Sequence, residues 1–443
     1  MTQYWLERAW LGDGGVTDAV LVTVEDGRFT AVETDVTTPP PEAERLAGLT
    51  IPGLANCHSH AFHRALRGRT QRGQGTFWTW REQMYGVAGR LTPDIYYELA
   101  AATYREMAVA GITSVGEFHY LHHGPDGTPY DEPNAMGLAL IHAARDAGIR
   151  IALLDTCYLA AGIGKPLEGV QLRFGDRDVA AWGRRVEDLA TGNHGNGVMV
   201  GAAIHSVRAV PRDQMGHVVA WASGRPLHAH LSEQVAENEA CCAAYGLTPT
   251  QVLADAGALG PRTSVVHATH LGARDIELLG QASAYSCFCP TTERDLGDGI
   301  GPSRRLHDAG SAVTLGSDSH AVIDLFEEMR AVEMHERLAA QARGHWTAGE
   351  LMSAASRDGH RSLGFDDAGR IAVGDRADLV TLDTRTPRTA GTGAATETAV
   401  FAASAADVVQ VIADGRVIAT GEARQQIGVE LDRVVGAVWE ERP

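Results

Sequence analysis

Leu49-Thr-Ile-Pro-Gly-Leu-Ala-Asn-Cys-His-Ser-His60 is an apolar run that stops in two histidines one residue apart. Alternate residues of a strand face the same side, so His58 and His60 can reach one ion if the run is extended. The same design recurs along the chain. Candidate strands lie at 49–57, 111–118, 149–156, 197–204, 226–230, 263–267, 283–288 and 311–316. Helical stretches separate most of them, at 92–110, 134–147 and 211–223, with 321–343 expected to be the longest. Several of the strands are almost wholly apolar, as when helices cover one side and a barrel core the other. The alternation predicts an α/β fold, a (β/α)8 barrel of TIM type, with active residues at the C-terminal strand ends.

The two ends of the chain read differently. Ala19-Val-Leu-Val-Thr-Val24 and 29–32 flank an Asp26-Gly27 turn, and 376–383 and 408–418 are apolar runs bounded by Gly-Asp and Asp-Gly turns. Residues 1–50 and 370–443 are therefore expected to pair as a small β-sandwich domain beside a barrel of residues 51–369. Residues 384–398, rich in Thr, Ala and Gly, read as a mobile loop.

Composition narrows the function. The chain has 443 residues, 44% hydrophobic and 21% charged, with a formal net charge of −18. That charge argues against nucleic acid as a partner but leaves a small anionic substrate open, because a few buried arginines can set a local field of opposite sign. No apolar run has membrane-spanning length and no export signal is visible, so no membrane partner and a cytoplasmic location are expected. The six cysteines show no framework of paired spacings and read as reduced thiols. A homodimer is a possible assembly. Lys165 is the only lysine; a bridged two-metal site built on a modified lysine would have to use it.

His230 ends the fifth candidate strand and Asp318 follows the eighth, in Leu315-Gly-Ser-Asp-Ser-His320. With His58 and His60 they make three imidazoles and a carboxylate. That set suits one divalent metal ion, Zn2+ first and Fe2+ second, with a position open for water. His228 lies on the same strand face as His230 and is the alternative nitrogen. Asp318 has an alternative role as a helix N-cap before Ala321. A metal lowers the pKa of water from near 16 to about 7, which makes hydroxide available at neutral pH. Glu233, three residues past His230, is placed to take the water proton and pass it to a leaving nitrogen. His267, at the end of the sixth candidate strand, is placed to stabilise a tetrahedral intermediate, and Asp318 can also accept a proton.

His58-x-His60, His230, His267 and Asp318, in that order, resemble the amidohydrolase superfamily over essentially the whole chain, and a β domain split between the ends is its habit. Four stretches narrow the resemblance to formimidoylglutamate deiminases: Asn56-Cys-His-Ser-His-Ala-Phe-His-Arg-Ala65, Phe77-Trp-Thr-Trp-Arg-Glu-Gln-Met-Tyr85, Gly116-Glu-Phe-His-Tyr120 and Pro290-Thr-Thr-Glu-Arg-Asp-Leu-Gly-Asp298. The resemblance implies hydrolysis of N-formimino-L-glutamate to N-formyl-L-glutamate and ammonia, in histidine degradation. It also implies that Arg81, Tyr120, His205 and Arg208 bind the substrate, whose two carboxylates suit guanidinium groups. Without it, Arg81 reads equally as a surface helix residue, Arg208 as a loop ion pair, Tyr120 as a rim aromatic and His205 as a core histidine. One departure stands at His63, where the family often has Gln: a substrate contact there would be kept but changed, since a histidine can carry charge. Trp78 and Trp80 are expected to pack a loop over the site. The rival reading is an aminohydrolase of a ring such as guanine, or of a different formimino-amino acid.

Overall fold

A computed structural model of the chain describes residues 1–71 and 77–440. The first four strands are β1 (Thr2–Trp10), β2 (Val16–Glu25), β3 (Arg28–Glu33) and β4 (Glu44–Pro52). Eight more follow: β5 (Leu54–Ser59), β6 (Ile112–His119), β7 (Arg150–Cys157), β8 (Val198–Ile204), β9 (Leu227–Leu231), β10 (Thr263–His267), β11 (Tyr285–Phe288) and β12 (Val313–Leu315). The last three are β13 (Leu379–Leu382), β14 (Val408–Ala413) and β15 (Arg416–Thr420).

Strands β5 to β12 form one parallel sheet in sequence order, with helices in most of the intervals. Every residue of β5, β6, β7 and β9 is buried, the polar ones included, as expected of strands covered on both faces. The sheet curls until its first and last strands meet at a single parallel bridge, Ser59 to Asp318. The amides of Ser317 and Asp318 donate to His58 O at 3.1 and 3.0 Å, and that of His60 to Asp318 O at 3.3 Å. The approach is so close that a Cβ on Gly316 would lie 2.7 Å from the His58 Cβ and 2.9 Å from its amide nitrogen, so only glycine fits there. Ala55, Cys57, Ala152, Val266 and Cys287 fill the interior, with Leu363 and Phe365 packed against them.

The terminal segments form a separate seven-stranded mixed sheet of order β15-β14-β13-β4-β1-β2-β3, with its own core of Leu6, Val20, Val22, Phe29, Leu379 and Ile412. One residue, Gly53, separates β4 of this sheet from β5 of the barrel. Buried Arg150 of β7 ties the two together, donating to Asp378 Oδ1 at 3.2 Å and Asp414 Oδ1 at 3.1 Å.

Two expectations change. Among the described residues the longest helix is Pro93–Val109 (17 residues); the stretch expected at 321–343 is a 16-residue helix, Leu325–Ala340. It starts late because the Asp324 carboxylate, not that of Asp318, accepts from the Phe326 and Glu327 amides and caps it. Residues 384–398 are held rather than mobile. Thr386 Oγ1 and the Arg388 guanidinium bond the buried Asp407 carboxylate, and a short helix, Thr396–Phe401, begins inside the stretch.

Candidate metal centre

The centre is assembled at the C-terminal ends of the barrel strands. Glu117 on β6 accepts from Ser59 Oγ at 2.6 Å and the Ala61 amide at 2.7 Å, pinning the end of β5 between His58 and a short 3-10 turn, Ala61–Leu66. The ring of His60 is fixed by a contact of Nδ1 to Phe118 O at 2.9 Å, and that of His230 by Nδ1 to His205 O at 2.9 Å. A carbonyl can only accept, so both Nδ1 atoms carry the proton and both Nε2 atoms present a lone pair inward.

Those lone pairs converge. His230 Nε2 lies 3.1 Å from His58 Nε2, and Asp318 Oδ1 lies 3.4 Å from the Nε2 atoms of both His58 and His60. His58, His60 and His230 are grouped closely enough to hold one ion, and Asp318 belongs to overlapping groups with His60 and His63 and with His267 and Cys289. All four expected ligands are buried. Three imidazoles packed edge to edge, two with Nε2 committed as acceptors, and one carboxylate leave a repulsive, under-satisfied cluster that a divalent cation would complete, so the donor set fits a metal ion. Burial and neighbouring histidines hold His60 and His230 well below the usual histidine range, so both are neutral. Burial alone would raise Asp318, but the hydrogen bond and charge of His58, with His267 and His60, hold it well below the usual carboxylate range.

His228 is one layer deeper. It is buried, and among the described residues neither ring nitrogen has a hydrogen-bond partner. It belongs to no group that could hold a metal there, which favours His230.

Glu233 and His267 meet beside this cluster. His267 Nε2 is 4.0 Å from Glu233 Oε1 and 3.7 Å from Asp318 Oδ2, while its Nδ1 is 3.4 Å from Glu293 Oε1. Burial would push His267 down, but the three carboxylates outweigh it and raise it well above the usual range. Burial raises Glu233. Positive φ at His267 (72°) and Asp318 (41°) turns both strand ends sharply toward the centre.

A narrow cavity opens above. His60, His63, Arg81, Tyr120, His205, Arg208, Glu233, His267 and Asp318 all line it, so every expected substrate contact is brought to one place. Tyr85, Tyr158 and Phe174 complete an aromatic wall. His63 Nε2 is 3.0 Å from Tyr120 Oη, and burial pushes its pKa down to about 3, so it is neutral like the glutamine of the expected pattern. Trp80 also lines the cavity, its ring 5.3 Å from that of His63; the side chain of Trp78 is outside the described residues. Lys165 is absent from this cavity.

The residue-by-residue reading missed three groups. Glu293 orients His267; it lies inside the quoted stretch 290–298, and that was its only signal. Glu237 is buried 3.9 Å from Arg208 Nε, in the first turn of the helix Val235–Tyr245 that follows Glu233. Glu117 pins β5 as described and lies within the quoted stretch 116–120.

Residues 49–418 match a family model described as the amidohydrolase family. Formimidoylglutamate deiminase of Pseudomonas aeruginosa is 35% identical over 399 residues, 87% of each chain. The crystal structure of an amidohydrolase from Brucella melitensis superposes with a TM-score of 0.92 at 32% identity, over 99% of this chain and 100% of that one. An adenosine deaminase from Xanthomonas campestris with bound zinc has a TM-score of 0.85 at 20% identity, over 99% and 98% of the two chains, a likeness of fold alone. With strand-end histidines and a carboxylate gathered at one point, and a matching family model over most of its length, the chain belongs to the amidohydrolase family and is a hydrolase acting on C–N bonds.

Proposed function

We propose that the protein hydrolyses N-formimino-L-glutamate to N-formyl-L-glutamate and ammonia, a step of histidine degradation. The observation that carries this reading is the presence of two guanidinium groups, Arg81 and Arg208, in the same cavity as the candidate metal ligands. The substrate's two carboxylates need such partners, and its amidine carbon must lie near the histidines. The similarity to the Pseudomonas enzyme supports the same choice.

His58, His60 and His230 through Nε2, and Asp318 through Oδ1, would hold one divalent ion, with Zn2+ proposed first. Bound there, the ion would supply Lewis acidity and bring a water molecule's pKa to about 7. The chain's own residues do the rest. Arg81 and Arg208 hold the glutamate end, so the carbon stays near its nucleophile. Glu233, its proton affinity raised by burial, accepts the water proton at its carboxylate and delivers it to the departing nitrogen. His267, held cationic by Glu233, Glu293 and Asp318, donates from Nε2 to charge that develops at the reacting carbon's substituent. Neutral His63 and Tyr120 offer polar contacts at the side of the cavity.

The aromatic wall favours one rival, hydrolytic deamination of a flat ring. Ammonia release from N-formimino-L-glutamate, N-formimino-L-aspartate and guanine separates the readings. Turnover of the first, lost by about 100-fold or more in kcat/KM in Arg208→Met, supports the proposal. Turnover of guanine that survives the substitution replaces it.

A further inference from the structure

Beyond Arg208 lie two larger cavities, of about 880 and 740 Å3, both lined by Gly162, Ile163, Lys165 and Arg208. Either is of the size that takes a small-molecule ligand. Arg208 faces the catalytic cavity and both outer ones, and Arg81 faces the catalytic cavity and the 740 Å3 chamber. The two guanidinium groups are thus a wall shared between the interior and the outer space.

Lys165 has no role in the proposed chemistry, and its setting is unusual. It is the only lysine in a chain with 56 acidic residues and a net charge of −18. It is exposed, and among the described residues its ammonium makes no ion pair or hydrogen bond. Its backbone, in contrast, is held. Lys165 N donates to Gly162 O at 2.9 Å and Ala161 N to Lys165 O at 3.0 Å, around a turn where Gly164 takes a φ of 69°. Leu159 N and Ala160 N both donate to Ala209 O, at 2.8 and 2.9 Å, which fastens this loop to the segment that carries Arg208. In the larger cavity Lys165, Arg208 and Arg212 stand against one carboxylate, Asp213, whereas in the smaller one Lys165, Arg81 and Arg208 face two, Glu168 and Glu237. An unpaired cation on an anchored turn, at the mouth of a cleft in an acidic protein, focuses potential where an anion must enter.

We infer that the larger outer chamber is the entrance for the anionic substrate, and that Lys165 is its steering charge, handing carboxylates inward to Arg208, which also faces the catalytic cavity. This rests on the carboxylate-bearing substrate proposed above. It sets Lys165 apart from the residues that bind at the reaction centre: its charge raises the capture rate and leaves the chemical step alone.

The test measures kcat/KM for N-formimino-L-glutamate against ionic strength in the metal-loaded wild type, Lys165→Gln, Lys165→Glu, Lys165→Arg and a control, Arg416→Gln, which removes one exposed positive charge from β15. Lys165→Gln is expected to lower kcat/KM about threefold near 0.02 M salt, and Lys165→Glu about tenfold, both effects vanishing near 0.5 M. Lys165→Arg keeps the wild-type value, kcat is unchanged throughout, and Arg416→Gln behaves as wild type. A parallel titration measures the Kd of glutarate, a dicarboxylate with no bond to hydrolyse, for which Lys165→Gln weakens binding by a similar factor at low salt. Wild-type protein that releases no ammonia from N-formimino-L-glutamate overturns the substrate reading by itself, and the glutarate titration then decides the chamber alone. Lys165 variants that equal the wild type at low salt, or an equal loss in Arg416→Gln, overturn the inference.

Discussion

Glu233 is the side chain on which the proposed proton transfers turn. Burial raises its pKa while His267, 4.0 Å away, opposes the rise, so the carboxylate is held above the usual carboxylate range beside a cationic group. Glu233→Gln keeps the shape and removes the titration. Steady-state assays of that variant are expected to show kcat down by about 10²- to 10⁴-fold with a metal content equal to wild type; a kcat within a factor of about three of wild type would remove Glu233 from the mechanism. The metal ligands were legible because each ends an apolar run, a pattern visible without any partner. Glu293 and Glu237 were not, because what makes them functional is a contact to a side chain on another strand or loop: Glu293 to His267, Glu237 to Arg208. Spacing alone carries no trace of such a contact. The choice between His228 and His230 had the same difficulty, since both face the barrel interior and only depth separates them.

At the level of elements, the barrel closes where its ligands sit. Strands β5 and β12 meet through the single Ser59–Asp318 bridge, and His58, His60 and Asp318 supply the backbone bonds across it. His320 reinforces the seam, its Nε2 3.1 Å from Ser59 Oγ and its Nδ1 2.9 Å from Ser317 Oγ. An ion bound by side chains from both strands would staple the seam. Removing it with a chelator is expected to speed hydrogen exchange at residues 54–60 and 313–320 more than at β7, and to lower stability by about 4 kcal/mol if the ion is present at a thousandfold excess over its Kd. Uniform exchange changes across all eight strands would contradict this. Strand positions were readable because burial on both faces keeps several of them nearly all apolar up to the polar residues at their ends. The start of helix Leu325–Ala340 was not, because Asp318 and Asp324 are both capping residue types and tertiary contacts decided which one serves.

On the scale of the whole molecule, buried histidines outside the catalytic cavity tie stability to pH. His360, between the barrel and the terminal sheet, is pushed down to about 4 by burial and by Arg150, against a smaller opposing pull from Asp378. His122 is likewise pushed down to about 4 by burial and by Arg185. Between pH 6.5 and 4 the unfolded chain takes up protons that the folded one refuses. Stability is therefore full above pH 6.5 and falls as the pH drops through that window. Urea unfolding of metal-saturated protein is expected to show that His360→Gln loses about 2 kcal/mol less than wild type between about pH 7 and pH 5; identical losses would mean that His360 is not held neutral. The union of the two chain ends in one sheet was legible from turn-bounded runs. The hold on residues 384–398 was not, because Asp407, which fixes them, lies beyond the stretch and its contacts with Thr386 and Arg388 are tertiary. All of these scales depend on four side chains, widely separated in the chain, meeting around one cation. The most direct test is the metal content of extensively dialysed protein, wild type beside a His58→Ala/His60→Ala variant. About one divalent ion per chain is expected in the wild type and almost none in the variant; wild-type protein that is folded and metal-free after growth and dialysis with zinc, or a variant that keeps its ion, would rule out the shared metal centre.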